Sequence, residues 1–360
     1  MTEPGDPRSG SARKWLKLGS ISVVVPNYNH ARYLGESLDA IARQSTPPLE
    51  VLVVDDASTD DSVAVIESFV RRYPFITLLR HEVNQGVFGA LRTGWRRCRG
   101  DYVSFIAADD VVRPGLFEKC LSLLARHPQA GLCSSMGRIL SADGRDLGPY
   151  HTPIPSPRER YINPSEFIAA YLRHGNWVLG YSAIYRSAVV AESGVFEPGS
   201  DLRWHFDAYK VFYAGAKYGA CFIPEPLVLW RRLEDSWGFR SLTHAGLSGA
   251  LEHVQRLERC LRHPRCAGLF PKEFFLALWR QFVDVAVYEY LRRYPDDLRP
   301  LLALESRVPR PSWLDRAYFG ALRRGWAGIV GTKLYLTLRK PLAEQWRILR
   351  RKLGGGRLAE

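Results

Sequence analysis

Residues 21–29 read ISVVVPNYN, and residues 51–60 read VLVVDDASTD. Each stretch starts with a short, mostly β-branched apolar run and then turns polar, at Pro26 in the first and at Asp55 in the second. Runs of this length, bounded by turn residues, are typical of strands buried inside a sheet. Apolar residues at helical spacing follow each stretch, so the sequence predicts strands that alternate with helices.

The alternation continues to about residue 106. After the strands at 21–25 and 51–54, it predicts strands at 75–79 and 102–106, and helices at 34–44, 60–72 and 86–98, the second of these capped by Asp60. Strands that alternate with helices indicate a parallel sheet covered on both faces. Ligands bind such sheets beyond the carboxyl ends of the strands, where Asp56, Asp109 and Asp110 are expected to converge.

The pattern changes after about residue 130. Strands mixed with turns are predicted at 132–135, 176–185 and 221–230, and helices from about residue 246 onward. Aromatic residues are dense between 150 and 209, which suits the binding of sugar rings. Aromatic side chains more commonly fill cores, and for most of these we favour that interpretation.

Five motifs occur in a fixed order: residues 23–29, 53–60, 84–94, 100–110 and, more loosely, 207–231. In this order and at these separations, they resemble glycosyltransferase family 2 over residues 20–237. The resemblance implies the GT-A fold, an α/β fold with a Rossmann-like mixed sheet flanked by helices. A nucleotide-sugar and metal half would span 20–130 and an acceptor half 131–245, followed by a helical basic region at 246–360.

The family resemblance also implies an activity. The expected reaction is the inverting transfer of a sugar from a nucleotide-diphosphate sugar, a UDP-sugar in the first instance, to a hydroxyl group. The expected acceptor is a glycan or a lipid-linked glycan, such as a bacterial surface polysaccharide or lipopolysaccharide.

A divalent cation, Mn²⁺ or Mg²⁺, is expected because the leaving diphosphate carries charge that must be neutralised. Such cations prefer oxygen ligands and often take one or two carboxylates plus phosphate oxygens. By resemblance, Asp110 is the metal ligand, and Asp109 contacts the ribose or the metal's waters. The alternative for Asp110 is a helix N-cap, because Pro114 and a predicted helix follow it.

By the same resemblance, four residues bind the donor nucleotide. Asp56 is expected to accept a hydrogen bond from the base edge, Tyr28 to stack on the base, and Pro26 to shape the pocket. Arg92, on the predicted helix after Gly86, would reach a phosphate. Its alternative is a solvated helix arginine.

Asp207 is the candidate catalytic base, because an inverting transfer needs a carboxylate that takes the proton of the acceptor hydroxyl. Phe206 stands where relatives often carry an acid, so Asp201 and Glu197 are kept as alternatives, as is a simple helix cap at Asp207. Two further departures from the family are Ala107, where an Asp is common, and Leu233, where many members place a His that reaches the metal or diphosphate.

Charge is concentrated at the C-terminus. The net charge is +13, and residues 301–360 carry 13 Lys and Arg against 4 Asp and Glu. A basic amphipathic helix with Trp346 is predicted within 332–353, which suits an anionic membrane surface. The alternative is packing on the protein's own core, and nucleic acid is not the expected partner.

The N-terminus and the cysteines narrow the cellular context. Residues 1–19 are expected to form a disordered leader without a signal peptide, and no stretch is long and apolar enough to span a membrane. We expect a cytoplasmic protein that can associate peripherally with the inner face of the cell membrane. The six cysteines have irregular spacing, so no disulfide framework is predicted, and Cys260 and Cys266 are interpreted as reduced surface thiols rather than zinc ligands.

Two other functions remain open from the sequence. A sugar-phosphate nucleotidyltransferase would also use a doubly wound sheet with acidic metal ligands, but it needs a Gly-rich phosphate loop, which residues 26–29 do not provide. The other is a catalytically decayed binding module held at a membrane by its basic tail.

Overall fold

The computed structural model describes residues 19–150, 152–197, 202, 205–233, 246–293, 301–302, 305 and 313–324. Within these residues, a ten-stranded sheet forms the centre of the molecule. The predicted leader at 1–19, apart from its last residue, and the predicted amphipathic helix at 332–353 lie outside the described residues.

The first half of the chain alternates strands and helices as the apolar pattern predicts. Its elements are β1 (Ile21–Asn27), α1 (Ala31–Ala42), β2 (Glu50–Asp55), α2 (Ser62–Arg72), β3 (Ile76–Arg80), α3 (Gly86–Trp95), β4 (Tyr102–Phe105), β5 (Val111–Val112) and α4 (Leu116–Arg126).

The second half adds strands of both directions and a group of helices. Its elements are β6 (Leu132–Leu140), β7 (Asp146–Pro149), β8 (Arg160–Ile162), α5 (Pro164–His174), β9 (Ile184–Arg186), α6 (Ser187–Ser193), α7 (Phe206–Tyr218), β10 (Ala220–Arg231), α8 (Gly246–Leu261), α9 (Lys272–Arg293) and α10 (Trp313–Arg323).

The strand order is β3-β2-β1-β4-β9-β6-β10-β5, with β7 on β6 and β8 on β10. Strands β1 to β4 are parallel, whereas β9 runs antiparallel to both of its neighbours, β4 and β6. The parallel sheet predicted from the strand–helix alternation holds for these four strands. The complete sheet is mixed, as the family resemblance implies, because β9 is antiparallel to its neighbours while β6 and β10 pair in parallel.

Two apolar cores lie on opposite faces of the sheet because strand side chains alternate in direction. In β1, Val23 and Val25 pack into one core with residues of α1, α2 and α4, while Val24 packs into the other with residues of α3, α5 and α7. The second core contains most of the described aromatic residues between 150 and 222, among them Tyr171, Trp177 and Tyr185, all buried. For these residues the interpretation as core is confirmed.

Three local predictions differ from the structure. The strands mixed with turns predicted at 176–185 are present only as a 3₁₀ turn at Gly180–Ser182 and the start of the short β9. Helix α2 begins at Ser62 with Asp61 rather than Asp60 at its N-cap, although Asp60 does accept a hydrogen bond from the Ser62 N–H. Cys266 is buried rather than at the surface, because it packs into the aromatic core.

The cysteines and the possibility of a membrane-spanning helix can be assessed in the described residues. All six cysteines are free thiols. No helix in the described part of the chain has both the length and the apolar character needed to cross a membrane.

Candidate active site

The loop after β4 places two adjacent carboxylates at the carboxyl end of the parallel strands. Asp110 is almost fully buried, and its Oδ1 accepts a hydrogen bond from the backbone N–H of Arg231 at 2.9 Å. Arg231 is the last residue of β10, and its Nε donates to the backbone oxygen of Asp109 at 3.0 Å. The acidic loop is thus held by the end of a strand from the other half of the sheet.

Electrostatics make this carboxylate pair costly to ionise without a counter-charge. Burial raises the pKa of Asp109, against the opposing charges of His30 and Arg231. Burial and the neighbouring charge of Asp109 raise the pKa of Asp110 well above its usual range, and the contacts with Arg231 only partly oppose this. Adjacent carboxylates, one buried and one half-buried, favour a bound cation, which would stabilise both in the ionised form.

The donor set fits a hard divalent cation. Only one oxygen of Asp110 is engaged by Arg231, so its other oxygen is available together with the Asp109 carboxylate. No cluster of three or more potential metal-ligating side chains occurs among the described residues. Mg²⁺ and similar cations bound with a nucleotide commonly use one or two carboxylates plus phosphate oxygens, which is what this loop provides.

The helix-cap alternative for Asp110 is wrong. Helix α4 begins at Leu116, and its N-cap is Gly115, which has a left-handed backbone conformation. Asp110 instead precedes the short strand β5. Leu233, where the family resemblance leads one to expect a His, is half-buried two residues after Arg231 and offers no ligand atom.

A second buried polar cluster surrounds Asp56, directly after β2. Its Oδ1 lies 2.6 Å from His81 Nδ1 and accepts a hydrogen bond from the Gln85 N–H at 2.8 Å. The other ring nitrogen of His81 lies 2.9 Å from the Thr93 hydroxyl on α3. Sequence reasoning missed His81, although its position directly after β3, at the same edge as Asp56, was a usable signal.

The loop between β2 and α2 is built on a local hydrogen-bond network. Asn27 Nδ2 donates to Asp55 Oδ1 at 2.9 Å and to Ser58 Oγ at 3.2 Å, and Asp55 Oδ2 accepts from the Ser58 N–H. Between them, Ala57 has a φ of 62°, in the left-handed region. Asp55 thus shapes the loop that presents Asp56.

The remaining donor-binding candidates lie around this edge. Pro26 is the second-last residue of β1 and pairs with Val54 of β2. Tyr28 directly follows the strand, and 45% of its surface is exposed. Arg92 is half-buried on α3, and no hydrogen bond or ion pair joins its guanidinium to the described residues. Both Tyr28 and Arg92 are therefore free to meet a ligand.

Asp207 lies in the first turn of α7, against Gly180. Because β9 is antiparallel to β4 and its first residue, Ile184, pairs with Ser104, the 3₁₀ turn at Gly180–Ser182 extends past the carboxyl end of β4. Asp207 is thus at the same edge of the sheet as the acidic loop. Its side chain is 53% exposed, so a molecule outside the protein can reach the carboxylate.

A buried lysine accompanies Asp207. Lys210 Nζ lies 3.1 Å from Asp207 Oδ1 and 3.8 Å from the centre of the Phe105 ring, and its side chain is only 1% exposed. Burial lowers the pKa of Lys210, while the Asp207 carboxylate opposes this shift. Of the alternative bases, Glu197 is paired with Arg265 at 2.9 Å, and Asp201 lies outside the described residues.

Comparison with solved structures places this architecture in the GT-A class. A Staphylococcus aureus TarS fragment, residues 1–349, in complex with UDP-GlcNAc aligns with a TM-score of 0.56 over 91% of this chain and 92% of that one, at 16% identity. The mannosyltransferase PcManGT from Pyrobaculum calidifontis, in complex with GDP-Man and Mn²⁺, aligns with a TM-score of 0.51 over 94% and 88%, at 21% identity. At these identities the likeness establishes the fold alone.

Residues 22–188 match the family model described as Glycosyl transferase family 2. The chain is therefore similar to glycosyltransferase family 2 through this segment, as the motifs predict.

Two curated relatives carry the name of uncharacterized glycosyltransferases. YibD of Escherichia coli K12 is 32% identical over 180 residues, which are 49% of this chain and 51% of that protein. The protein alr2836 of Nostoc is 32% identical over 126 residues, 35% of this chain and 38% of that protein. The chain therefore spans about half or less of the length of these relatives.

Proposed function

We propose that this protein transfers a sugar from a nucleotide-diphosphate sugar to a hydroxyl acceptor with inversion at the anomeric carbon. The observation that carries this proposal is the pair Asp109 and Asp110, whose raised pKa values and free carboxylate oxygens call for a cation at the carboxyl edge of the sheet. The match of residues 22–188 to the family 2 model supports the reaction class, and solved structures of the same fold bound to UDP-GlcNAc and GDP-Man support a nucleotide-sugar donor.

The donor would lie along the edge from β2 to the acidic loop. Asp56 would accept a hydrogen bond from the base, Tyr28 would stack on it, and Pro26 would form the adjoining wall. Arg92 would meet a phosphate, because its guanidinium is not engaged by the described residues. Asp109 would contact the ribose or the cation's water ligands.

Asp110 would hold the divalent cation, Mn²⁺ or Mg²⁺, with its oxygen that Arg231 leaves free. When bound, such a cation neutralises the diphosphate and so makes it a better leaving group. The chain's own part is to keep the two carboxylates fixed, and the hydrogen bond from the Arg231 N–H does this for Asp110.

Asp207 would act on the acceptor. Its carboxylate takes the proton of the acceptor hydroxyl as that oxygen attacks the anomeric carbon, and the bond from this carbon to the diphosphate oxygen breaks. Lys210, whose Nζ lies 3.1 Å from Asp207 Oδ1, would orient the carboxylate through its charge. The acceptor is proposed to be a glycan or a lipid-linked glycan.

A ligand screen by thermal unfolding tests the donor proposal without knowledge of the acceptor. A ligand that binds only the folded state raises Tm, by an amount set by its concentration relative to Kd. We expect a nucleoside diphosphate and its sugar conjugate to raise Tm with Mn²⁺ and much less with EDTA. If no nucleotide-sugar raises Tm in the presence of Mn²⁺, the proposal is contradicted, and a binding module that takes no nucleotide-sugar is favoured.

A further inference from the structure

The two oxygens of the Asp56 carboxylate have different surroundings. Oδ1 receives two donors, His81 Nδ1 at 2.6 Å and the backbone N–H of Gln85 at 2.8 Å. A carboxylate oxygen has two lone pairs, so these two contacts fill its capacity in the plane. Oδ2 has no hydrogen-bond partner among the described residues. Asp56 therefore has one oxygen left for a ligand.

His81 is itself held from both sides. It is buried, and its Nε2 lies 2.9 Å from the Thr93 hydroxyl on α3. An ionised carboxylate only accepts hydrogen bonds, so Nδ1 carries the hydrogen in the contact with Asp56. The Thr93 hydroxyl lies within hydrogen-bond distance of Nε2 and so holds the ring on its other side. The ring orientation, and with it the occupation of Oδ1, is set by the fold.

We propose that His81 is a positioning residue that restricts Asp56 to one free acceptor and thereby selects a uracil-type base over guanine. This inference rests on the proposed function, in which Asp56 meets the edge of the donor's base. It deepens that function, because the GT-A fold does not by itself choose a nucleobase.

The hydrogen-bonding edges of the bases give the reason. Uracil and thymine present one N–H, at N3, between two carbonyl groups, and one free carboxylate oxygen satisfies it. Guanine presents two adjacent donors, N1–H and the 2-amino group, which need both oxygens of a carboxylate. Because Oδ1 is already filled, one guanine donor would be buried without a partner, which weakens binding strongly. Cytosine has an acceptor at N3, which the carboxylate would repel.

Calorimetric titration of the full chain with UDP, GDP and N3-methyl-UDP, each with Mn²⁺, tests this. Because the diphosphate is common to all three, differences in Kd report the base alone. We expect wild-type protein to bind UDP at least about tenfold more tightly than GDP, and N3-methyl-UDP at least about tenfold more weakly than UDP, since each poorer ligand leaves a buried polar group unpaired.

Two substitutions at one position separate positioning from a general structural role. His81→Leu removes the donor to Oδ1, whereas His81→Asn keeps an N–H near the position of Nδ1. We expect His81→Leu to lower the preference for UDP over GDP by about fivefold or more, and His81→Asn to retain it, because only the former frees Oδ1. A purely structural role would lower Tm in both variants and leave the ratio of the two Kd values unchanged.

The inference is overturned if wild-type protein binds GDP as tightly as UDP, or if folded His81→Leu keeps the wild-type ratio. Should His81→Leu fail to fold, the wild-type comparison of UDP, GDP and N3-methyl-UDP decides. If the proposed function itself is wrong, wild-type protein binds neither UDP nor GDP. Tight binding of GDP alone would overturn the role of His81 but would still agree with a nucleotide-sugar transferase.

Discussion

The backbone N–H of Arg231 donates to Asp110 Oδ1 at 2.9 Å and joins two residues that are 121 positions apart in the chain. The Arg231 side chain extends this link, because its guanidinium contacts the backbone oxygens of Asp109 and Ser141 and pairs with Glu36 of α1 at 2.5 Å. One buried residue at the end of β10 thus fixes the acidic loop relative to both halves of the sheet.

Arg231→Met should destabilise the protein markedly. The guanidinium is 2% exposed, and its loss leaves the oxygens of Asp109 and Ser141 without their donor. We expect the free energy of unfolding in urea to fall by about 2–4 kcal/mol. Glu36→Gln is the matched control: this carboxylate is 54% exposed, so its replacement should cost less than about 1 kcal/mol. Equal losses in the two variants would contradict a clamping role for Arg231.

Ala57→Gly should stabilise the protein, although glycine usually destabilises. Ala57 has a φ of 62°, where a Cβ is strained and glycine is not. We expect an increase of about 0.5–1 kcal/mol in the free energy of unfolding, because relief of strain exceeds the added entropy of the unfolded chain. Ala64→Gly, the same substitution at an exposed position of α2, should instead cost about 1 kcal/mol. Two changes of the same sign would contradict the assignment of strain.

The stability of the protein should fall in acid partly through His205. Burial, and the nearby His253, lower the pKa of His205 to about 4, so the folded state disfavours the charged ring. A lowered folded-state pKa contributes stability that is present above the unfolded pKa of about 6.5 and is lost as the pH falls towards 4.

His205→Phe removes this titration. Between pH 7 and pH 4.5 we expect wild-type protein to lose about 2–3 kcal/mol more than the variant does, measured by denaturant unfolding at each pH. Parallel pH profiles of the two proteins would mean that His205 does not titrate as its burial indicates.

Asp207→Asn should lower turnover while donor binding stays unchanged, because the role proposed for the carboxylate is to act on the acceptor. We expect kcat to fall by at least about a hundredfold, within the usual contribution of a general base, with Kd for the nucleotide within about twofold. Glu197→Gln is the control, since Glu197 is already neutralised by Arg265. A loss of kcat confined to Glu197→Gln would move the base to Glu197.

The parts of the fold that follow from local pattern could be predicted. The apolar runs of β1 and β2 predict both strands, and the strand–helix alternation predicts that Asp56, Asp109 and Asp110 follow the carboxyl ends of parallel strands. The β9 region was not predictable in the same way, because a three-residue strand between β4 and β6 has no periodicity to detect.

Contacts between residues distant in sequence could also not be predicted from the spacing of apolar residues. The contact of His81 with Asp56 depends on how two loops meet, and nothing in the residues between them specifies a distance of 2.6 Å. Lys210 lies three residues after Asp207, so an ion pair on one helix face was foreseeable. Its burial against Phe105 was not, because that depends on the packing of α7 over the sheet.

The central claim, that Asp110 holds the cation that supports cleavage of a nucleotide-sugar, is tested most directly by nucleotide release. Wild-type protein, Asp110→Asn and the surface control Asp146→Asn are incubated with a panel of UDP-sugars, with Mn²⁺ or with EDTA, and free UDP is measured. Wild type and the control should release UDP only with Mn²⁺, and Asp110→Asn should be slower by at least about a hundredfold, as the loss of several kcal/mol of charge stabilisation requires. Release by Asp110→Asn at the wild-type rate, or release unaffected by EDTA, would contradict the account.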